Sequence, residues 1–183
     1  MIPYNQQDIA NVEHDSEVGA KKVTSADKDA NGNIPTIGMG LDEFNIVKCA
    51  PTAFAGGTSN ARGDEAGTSD PLTLFTVTGD VLMAVYGVCT VNLEGTGEVS
   101  VGPIGNAALM LPAVEAVDID AGEVWMDATP AIGKTIDSLS YYVVGNGVDI
   151  AESVITADIT AGNIYYVCLW KALSAGSSVV SAI

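Results

Sequence analysis

From Leu72 onward the chain is a series of short β-prone runs separated by glycine, Asn-Gly and proline. The runs are "LTLFTVT", "VLMAVYGVCTVNL", "GEVSVGP", "AALML", "GEVWMD", "SLSYYVV", "VDIAESVI" and "NIYYVCLWKAL". They recur at about the 8-to-12-residue rhythm of sandwiches and barrels, and no stretch repeats its apolar residues at the period of a helix. This pattern restricts the region to an all-β fold. It predicts an antiparallel β-sandwich, jelly-roll-like, over residues 71–183. "VVGNGVDI" reads as a hairpin, because Gly145, Asn146 and Gly147 tolerate positive φ.

Two of these runs are apolar on both faces. In "VLMAVYGVC", Val81, Met83, Val85 and Cys89 alternate with Leu82, Ala84, Tyr86 and Val88, and "IYYVCLW" holds no charge. A sheet with one wetted face should alternate apolar with polar residues. The second apolar face therefore needs a cover, either the N-terminal segment or another copy of the chain. The expectation is a homo-oligomer, with a trimer as the expected assembly.

Residues 1–70 read differently. Polar stretches such as "NQQDIANVEHDSE" and "AGGTSNARGDEAGTSD" dominate, and apolar residues are scattered singles. Such text buries too little surface to offset its ordering entropy. The expected structure is an extended, polar N-terminal arm, with "DEFNIVKCA" as a short strand or helix.

Charge excludes some partners. The chain of 183 residues carries 23 acidic and 7 basic side chains, a formal net charge of −16. That repels phosphate backbones and anionic lipid surfaces, so neither nucleic acid nor membrane is expected as a partner. No apolar run approaches the ~18 residues of a membrane span. "MIPYNQQDIANVEHD" has neither a basic start nor an apolar stretch, so cytoplasmic synthesis is expected. Cys49, Cys89 and Cys168 are odd in number and widely spaced, which argues for reduced core thiols rather than a disulfide framework.

Chemistry-bearing motifs are sparse. In "DKDANGNIP", Asp27, Asp29 and Asn31 have the spacing of a calcium loop, with Gly32 following. The twelfth position should supply a bidentate acid, but it is Gly38, and Pro35 stands at the ninth. The stretch reads first as a turn and second as a low-affinity cation site. Arg62-Gly63-Asp64 matches an adhesion tripeptide, a match three residues reach easily by chance. His14 is the one histidine, so a nucleophile–base pair would need it folded into a pocket. No catalytic residue, cofactor or resident metal is expected. Asp118, Asp120, Glu123 and Asp127 are close in sequence, and paired carboxylates can hydrolyse glycosides. With aromatics at 6%, solvated acids at strand ends are the simpler reading.

One echo stands out. "DIDAGEVW" (118–125) and "DITAGNIY" (158–165) share Asp-Ile-x-Ala-Gly-x-apolar-aromatic, which predicts two related turns at Gly122 and Gly162.

A polar arm joined to an acidic Gly/Ala/Val/Thr-rich β-domain resembles the small structural proteins of tailed bacteriophages. The phrases "FTVTGDVLMAVYGVCTVNLEGTGEVSVG", "DIDAGEVWMDATPA" and "VGNGVDIAESVITADITAGNIYYVCLWKALSA" are similar in style to phage virion proteins, especially head decoration (cement) proteins. The resemblance spans about residues 72–175 and carries over no functional residue. It implies a non-enzymatic protein on the capsid surface, bound to the major capsid protein and stabilising its lattice. The alternative is a carbohydrate- or receptor-binding module of a tail or head fibre, with Tyr141, Tyr142, Tyr165, Tyr166 and Trp170 as its aromatics.

Overall fold

The structure is a computed structural model that describes residues 44–183. His14, Asp27, Asp29 and Asn31 lie outside the described residues. Among the described residues, ten strands form two five-stranded antiparallel sheets. They are β1 (Asn45–Cys49), β2 (Leu72–Thr78), β3 (Val81–Gly95), β4 (Glu98–Pro103), β5 (Leu111–Glu115), β6 (Val124–Trp125), β7 (Tyr142–Val144), β8 (Ile150–Ile155), β9 (Ile159–Ala172) and β10 (Ser178–Ser181).

The first sheet runs β1-β9-β3, with β6 and β7 both on the far side of β3, and the second runs β10-β2-β8-β4-β5. From β1 to β4 each strand lies in the sheet opposite its predecessor. After the β4–β5 hairpin the chain crosses back for β6 and β7, then crosses again for β8, β9 and β10. This winding, with β9 between β1 and β3 and β8 between β2 and β4, is a jelly roll. The all-β sandwich that the sequence predicts is the fold observed.

The spine is the β3–β9 ladder, from Val81 opposite Ala172 to Gly95 opposite Ile159. Both strands are rich in β-branched and aromatic residues, which suit a packed pleated surface. Their inward residues, including Met83, Val85, Ile164, Tyr166 and Cys168, meet Phe75, Val77, Val99, Val101, Ile150 and Val154 from the second sheet.

Residues 44–70 do not form an arm. β1 pairs along β9 from Asn45 opposite Trp170 to Cys49 opposite Tyr166, and Cys49 and Phe54 enter the core. The scattered apolar residues of this segment occupy core positions one at a time, so they leave no periodic trace. The "DEFNIVKCA" stretch holds a strand.

The outer face of the first sheet is apolar, as the sequence implies, and part of its cover comes from the chain itself. Met126 and Leu139 pack on Ala84 and Leu169, while Phe44, Tyr86, Val124 and Tyr141 border the cluster. Phe44 and Tyr141 stack with centroids 5.2 Å apart. Burying each such aliphatic side chain contributes roughly 1.5–3 kcal/mol. The segment between β6 and β7 thus supplies cover that the sequence reading assigned to an arm or another copy.

Two local expectations shift. Asn146 and Gly147 do take positive φ, 61° and 68°, yet they join β7 to β8, which lie in different sheets. The turn is a sandwich corner, pinned by Gly147 N–H to Gly79 O at 3.0 Å and Asn146 N–H to Asp80 Oδ1 at 2.9 Å. In "AALML" the strand begins only at Leu111.

The sequence echo flanks β3. Ile119 and Ile159 are both fully buried, and Gly122 and Gly162 both have positive φ, 91° and 107°. Gly87 is opposite Trp125 on one side and Tyr166 on the other, so the two copies sit one residue out of step across β3. A one-residue slip reverses the face. Trp125 therefore points into the core, while Tyr165, its counterpart in the echo, lies outward and half-buried.

Candidate functional site

One charged constellation lies inside the sandwich. Loop 50–70 carries Arg62 beneath itself, and the middle of β8 presents Glu152 inward. Arg62 Nε donates to Glu152 Oε1 at 2.8 Å, and Arg62 Nη2 donates to Glu152 Oε2 at 2.5 Å. The Tyr166 hydroxyl of β9 also donates to Glu152 Oε2. Arg62 Nη1 donates to Thr52 O at 2.6 Å, and the guanidinium lies 3.8 Å over the Phe54 ring. The side chains of Arg62 and Glu152 are only 3% and 1% exposed.

Local geometry explains how Arg62 gets there. Gly63 follows it at φ +99°, and a Cβ on Gly63 would lie 2.3 Å from Ile159 O. Only glycine lets the loop press this close to β9. Ala55 N–H to Arg62 O at 2.8 Å and Ile159 N–H to Gly63 O at 2.9 Å hold the approach. Asp70 Oδ1 accepts from Val154 N–H at 2.7 Å and fastens the loop's far end to β8.

The electrostatics favour a permanent pair. Burial opposes the Arg62 charge, but the adjacent Glu152 outweighs it and holds the guanidinium above its usual range. Burial, reinforced by Glu152, pushes the Tyr166 phenol well above its ordinary value, so it stays neutral and donates. A catalytic acid or base must reach substrate. Here Glu152 is sealed and bonded by both neighbours, so the arrangement is a clasp that ties loop 50–70 to β8 and β9.

A groove of about 710 Å³ opens beside the clasp, between loop 50–62 and Ile183. Ala50, Pro51, Ala53, Ala55 and Leu72 give it an apolar lining. Two of its polar side chains are engaged within the loop: Asn60 Oδ1 accepts from Thr68 N–H at 3.0 Å, and Ser69 Oγ donates to Asn60 O at 2.6 Å.

The acids singled out in sequence do not converge. Asp120 N–H donates to Glu123 Oε2 at 2.9 Å within its own turn. Asp127 accepts from Lys134 Nζ at 2.6 Å and from Thr129 N–H at 2.8 Å, and the Lys134 hydrogen bond pulls its carboxyl below the ordinary value. Among the described residues, no group of three or more His, Cys, Asp or Glu side chains is placed to hold a metal ion. The adhesion tripeptide is closed to a receptor, since Arg62 is consumed by the clasp. Cys49, Cys89 and Cys168 are buried and unpaired with one another, as expected. Burial raises all three thiols, Cys89 to about 11 and Cys168 to about 12.

The aromatic row proposed for a binding face does not form. Tyr166 is fully buried and Trp170 packs against the core. What the outer face of the first sheet presents is a set of apolar residues around a covered centre. Ile46 of β1, 66% exposed, and Val143 of β7, 70% exposed, lie on opposite sides of it. The half-buried Leu82 lies beside Val143 and opposite Lys171, the Ala84–Leu169 step next to Ile46 is buried under Met126 and Leu139, and the half-buried Tyr86, Val88 and Tyr165 continue past Ile46 away from Val143, with Lys48 Nζ 3.8 Å over the Tyr165 ring. Ile132, at 80% exposure, projects from the segment that covers this sheet.

Comparison with protein families, with curated proteins and with solved structures finds no match to this chain.

Proposed function

We propose that this chain is a non-enzymatic structural protein of a tailed-phage virion, a decoration protein that binds the outer surface of the major capsid lattice. The observation that carries the reading is the set of exposed apolar residues, Ile46, Val143 and Ile132, around the covered centre of the first sheet's outer face. Exposed apolar residues gathered on one face of a strongly acidic protein mark a surface made to meet another protein. The jelly roll suits the role, since viral capsid proteins use it widely. The interior ion pair serves cohesion: a sealed clasp resists deformation of the sandwich and offers nothing to a substrate.

The test is co-sedimentation of the full chain with expanded shells of its major capsid protein. Saturable binding that protects the shells against heat supports the reading, and a chain left in the supernatant at every ratio refutes it. Substituting Ile46 and Val143 together with Asp should abolish binding without unfolding the protein.

A glycan-binding module is the second reading. Tyr86 and Tyr165 lie diagonally on neighbouring strands of the same face and offer a small aromatic platform. A glycan array separates the two, because a decoration protein gives no hits.

A further inference from the structure

We infer that residues 132–141 are a strap that opens while the sandwich stays folded, and that its opening uncovers the centre of the first sheet's outer face. That centre is the buried pair Ala84 and Leu169. Of the strap's own side chains only Leu139 is buried. With Met126 it forms a small cluster on Ala84 and Leu169, apart from the main core. Ile132 and Ile136 are left exposed. Closure therefore rests on one aliphatic side chain and on the stack of Tyr141 against Phe44.

Hydrogen bonds do not hold the strap on the sheet. Among the described residues they stay within it or reach back to the turn after β6: Leu139 N–H to Ile136 O at 2.9 Å, Ser138 Oγ to Thr135 O at 2.7 Å, and Lys134 Nζ to Asp127 Oδ1 at 2.6 Å. The sheet nevertheless offers partners. Leu173 N–H donates to Asp80 O and Cys89 N–H donates to Glu123 O, so even-numbered residues of β3 bond to β9 and odd-numbered ones face β6 and β7. Met83 lies opposite Tyr142 and Gly87 opposite Trp125. Val85, between them, directs its N–H and C=O to the same side, and no described residue bonds to either. A segment built into the sheet would take this pair; the strap leaves it.

The ends are fixed and the middle has slack. Ala131 exchanges both backbone hydrogen bonds with Val124, which lies opposite Val88, and Tyr142 lies opposite Met83. Those two β3 positions are roughly 16 Å apart along the strand. The strap's residues, fully extended, reach about 33 Å. It can swing clear while Trp125 and Val144 stay in the core. Once it is open, Ala84 and Leu169 connect Leu82 and Val143 with Ile46 and Tyr86 in one apolar face. This use rests on the capsid reading, in which the shell takes the face that the strap gives up. The opening itself is a property of the free chain.

The test is thiol labelling of the full chain without denaturant. The Ala84→Cys thiol lies under the strap, and the three native thiols are buried. It should react at least about a hundredfold faster than Cys168, at a rate that ignores low guanidinium, because a local opening exposes little surface. Adding Leu139→Ala should raise that rate about tenfold or more and leave the native thiols silent. Hydrogen exchange reads the wild type without a substitution: the Val85 and Leu139 amides should exchange independently of low guanidinium, and the Ala84 and Tyr86 amides only through global unfolding. On capsids, Leu139→Ala should bind more tightly by the factor by which it speeds labelling, since the open fraction limits affinity. Capsids that bind neither chain refute the capsid reading alone, and the labelling rates still decide the strap. An Ala84→Cys thiol that reacts only in step with Cys168, Val85 and Leu139 amides that exchange only on unfolding, or capsid affinity unchanged in a variant that labels faster would each overturn the inference.

Discussion

Arg62 and Glu152, ninety residues apart in the chain, are joined by two hydrogen bonds of 2.8 and 2.5 Å inside the sandwich. Removing one partner strands the other charge in a dry interior. Arg62→Ala should therefore cost about 3–5 kcal/mol. The double variant Arg62→Met/Glu152→Leu should recover most of that loss, because it removes both charges and keeps the volume. Guanidinium unfolding of the three proteins checks this. A single variant as stable as the wild type would show that the pair is not desolvated as the structure implies.

The echo glycines should respond unequally to alanine. Gly122 and Gly162 share the left-handed backbone, but a Cβ at Gly122 meets nothing within 4 Å. At Gly162 it would lie 2.4 Å from Asn92 O and 2.7 Å from Leu93 Cα. Gly122→Ala should cost about 1–2 kcal/mol, the backbone penalty alone. Gly162→Ala should cost distinctly more, because β3 must also move. Thermal unfolding of both variants ranks them, and equal losses would refute the close packing of β9 on β3.

The thiols should be silent in the native state. With Cys89 pushed up to about 11 and Cys168 to about 12, the thiolate is a minute fraction at neutral pH. Thiolate is the reactive form. Labelling with a disulfide reagent at pH near 8 should proceed only after denaturant is added, when all three cysteines react. Rapid reaction of the folded protein would contradict the buried assignment.

Asp127 and Lys134 make a small, pH-dependent contribution. The Lys134 hydrogen bond lowers the folded pKa of Asp127 below its unfolded value. The stabilisation is therefore present above the unfolded value of about 3.9, and it disappears as pH falls through the lower folded value. Asp127 is 46% exposed, so the pair is worth at most about 1 kcal/mol. Lys134→Met should lower the melting temperature slightly at neutral pH and leave it unchanged near pH 2. A difference that persists in acid would point to packing by the lysine stem instead.

The parts of the fold that could be read from sequence are those with uninterrupted local signals. β3 and β9 announce themselves as long apolar runs rich in β-branched and aromatic residues, with one charge each, Glu94 and Lys171. The Asn146-Gly147 turn was visible as a turn, but local backbone chemistry does not say whether the next strand returns to the same sheet, so a corner looked like a hairpin. A strand or helix in "DEFNIVKCA" is legible, but its place in the sheet and the packing of loop 50–70 are not, because Cys49, Phe54 and Arg62 each reach the core alone, from polar text. The clasp was equally hidden: Arg62 stood within a chance tripeptide, and Glu152 sat in an apolar run where a single acid could as well have faced water. One signal was available, since an acid between Ala151 and Ser153 in an inward-facing register asks for a buried cation. Nothing in the sequence marks Met126 and Leu139 as a cover, because their segment has no periodicity.

The central claim is that the molecule works by seating the exposed apolar residues of this face on a protein shell. Electron cryomicroscopy of expanded capsids incubated with the full chain tests it most directly. The account predicts added density at repeating sites on the outer surface, with the outer face of the β1-β9-β3 sheet turned toward the lattice. Bare capsids at saturating protein, or density that meets the shell through another face while Ile46 and Val143 remain in solvent, would contradict it.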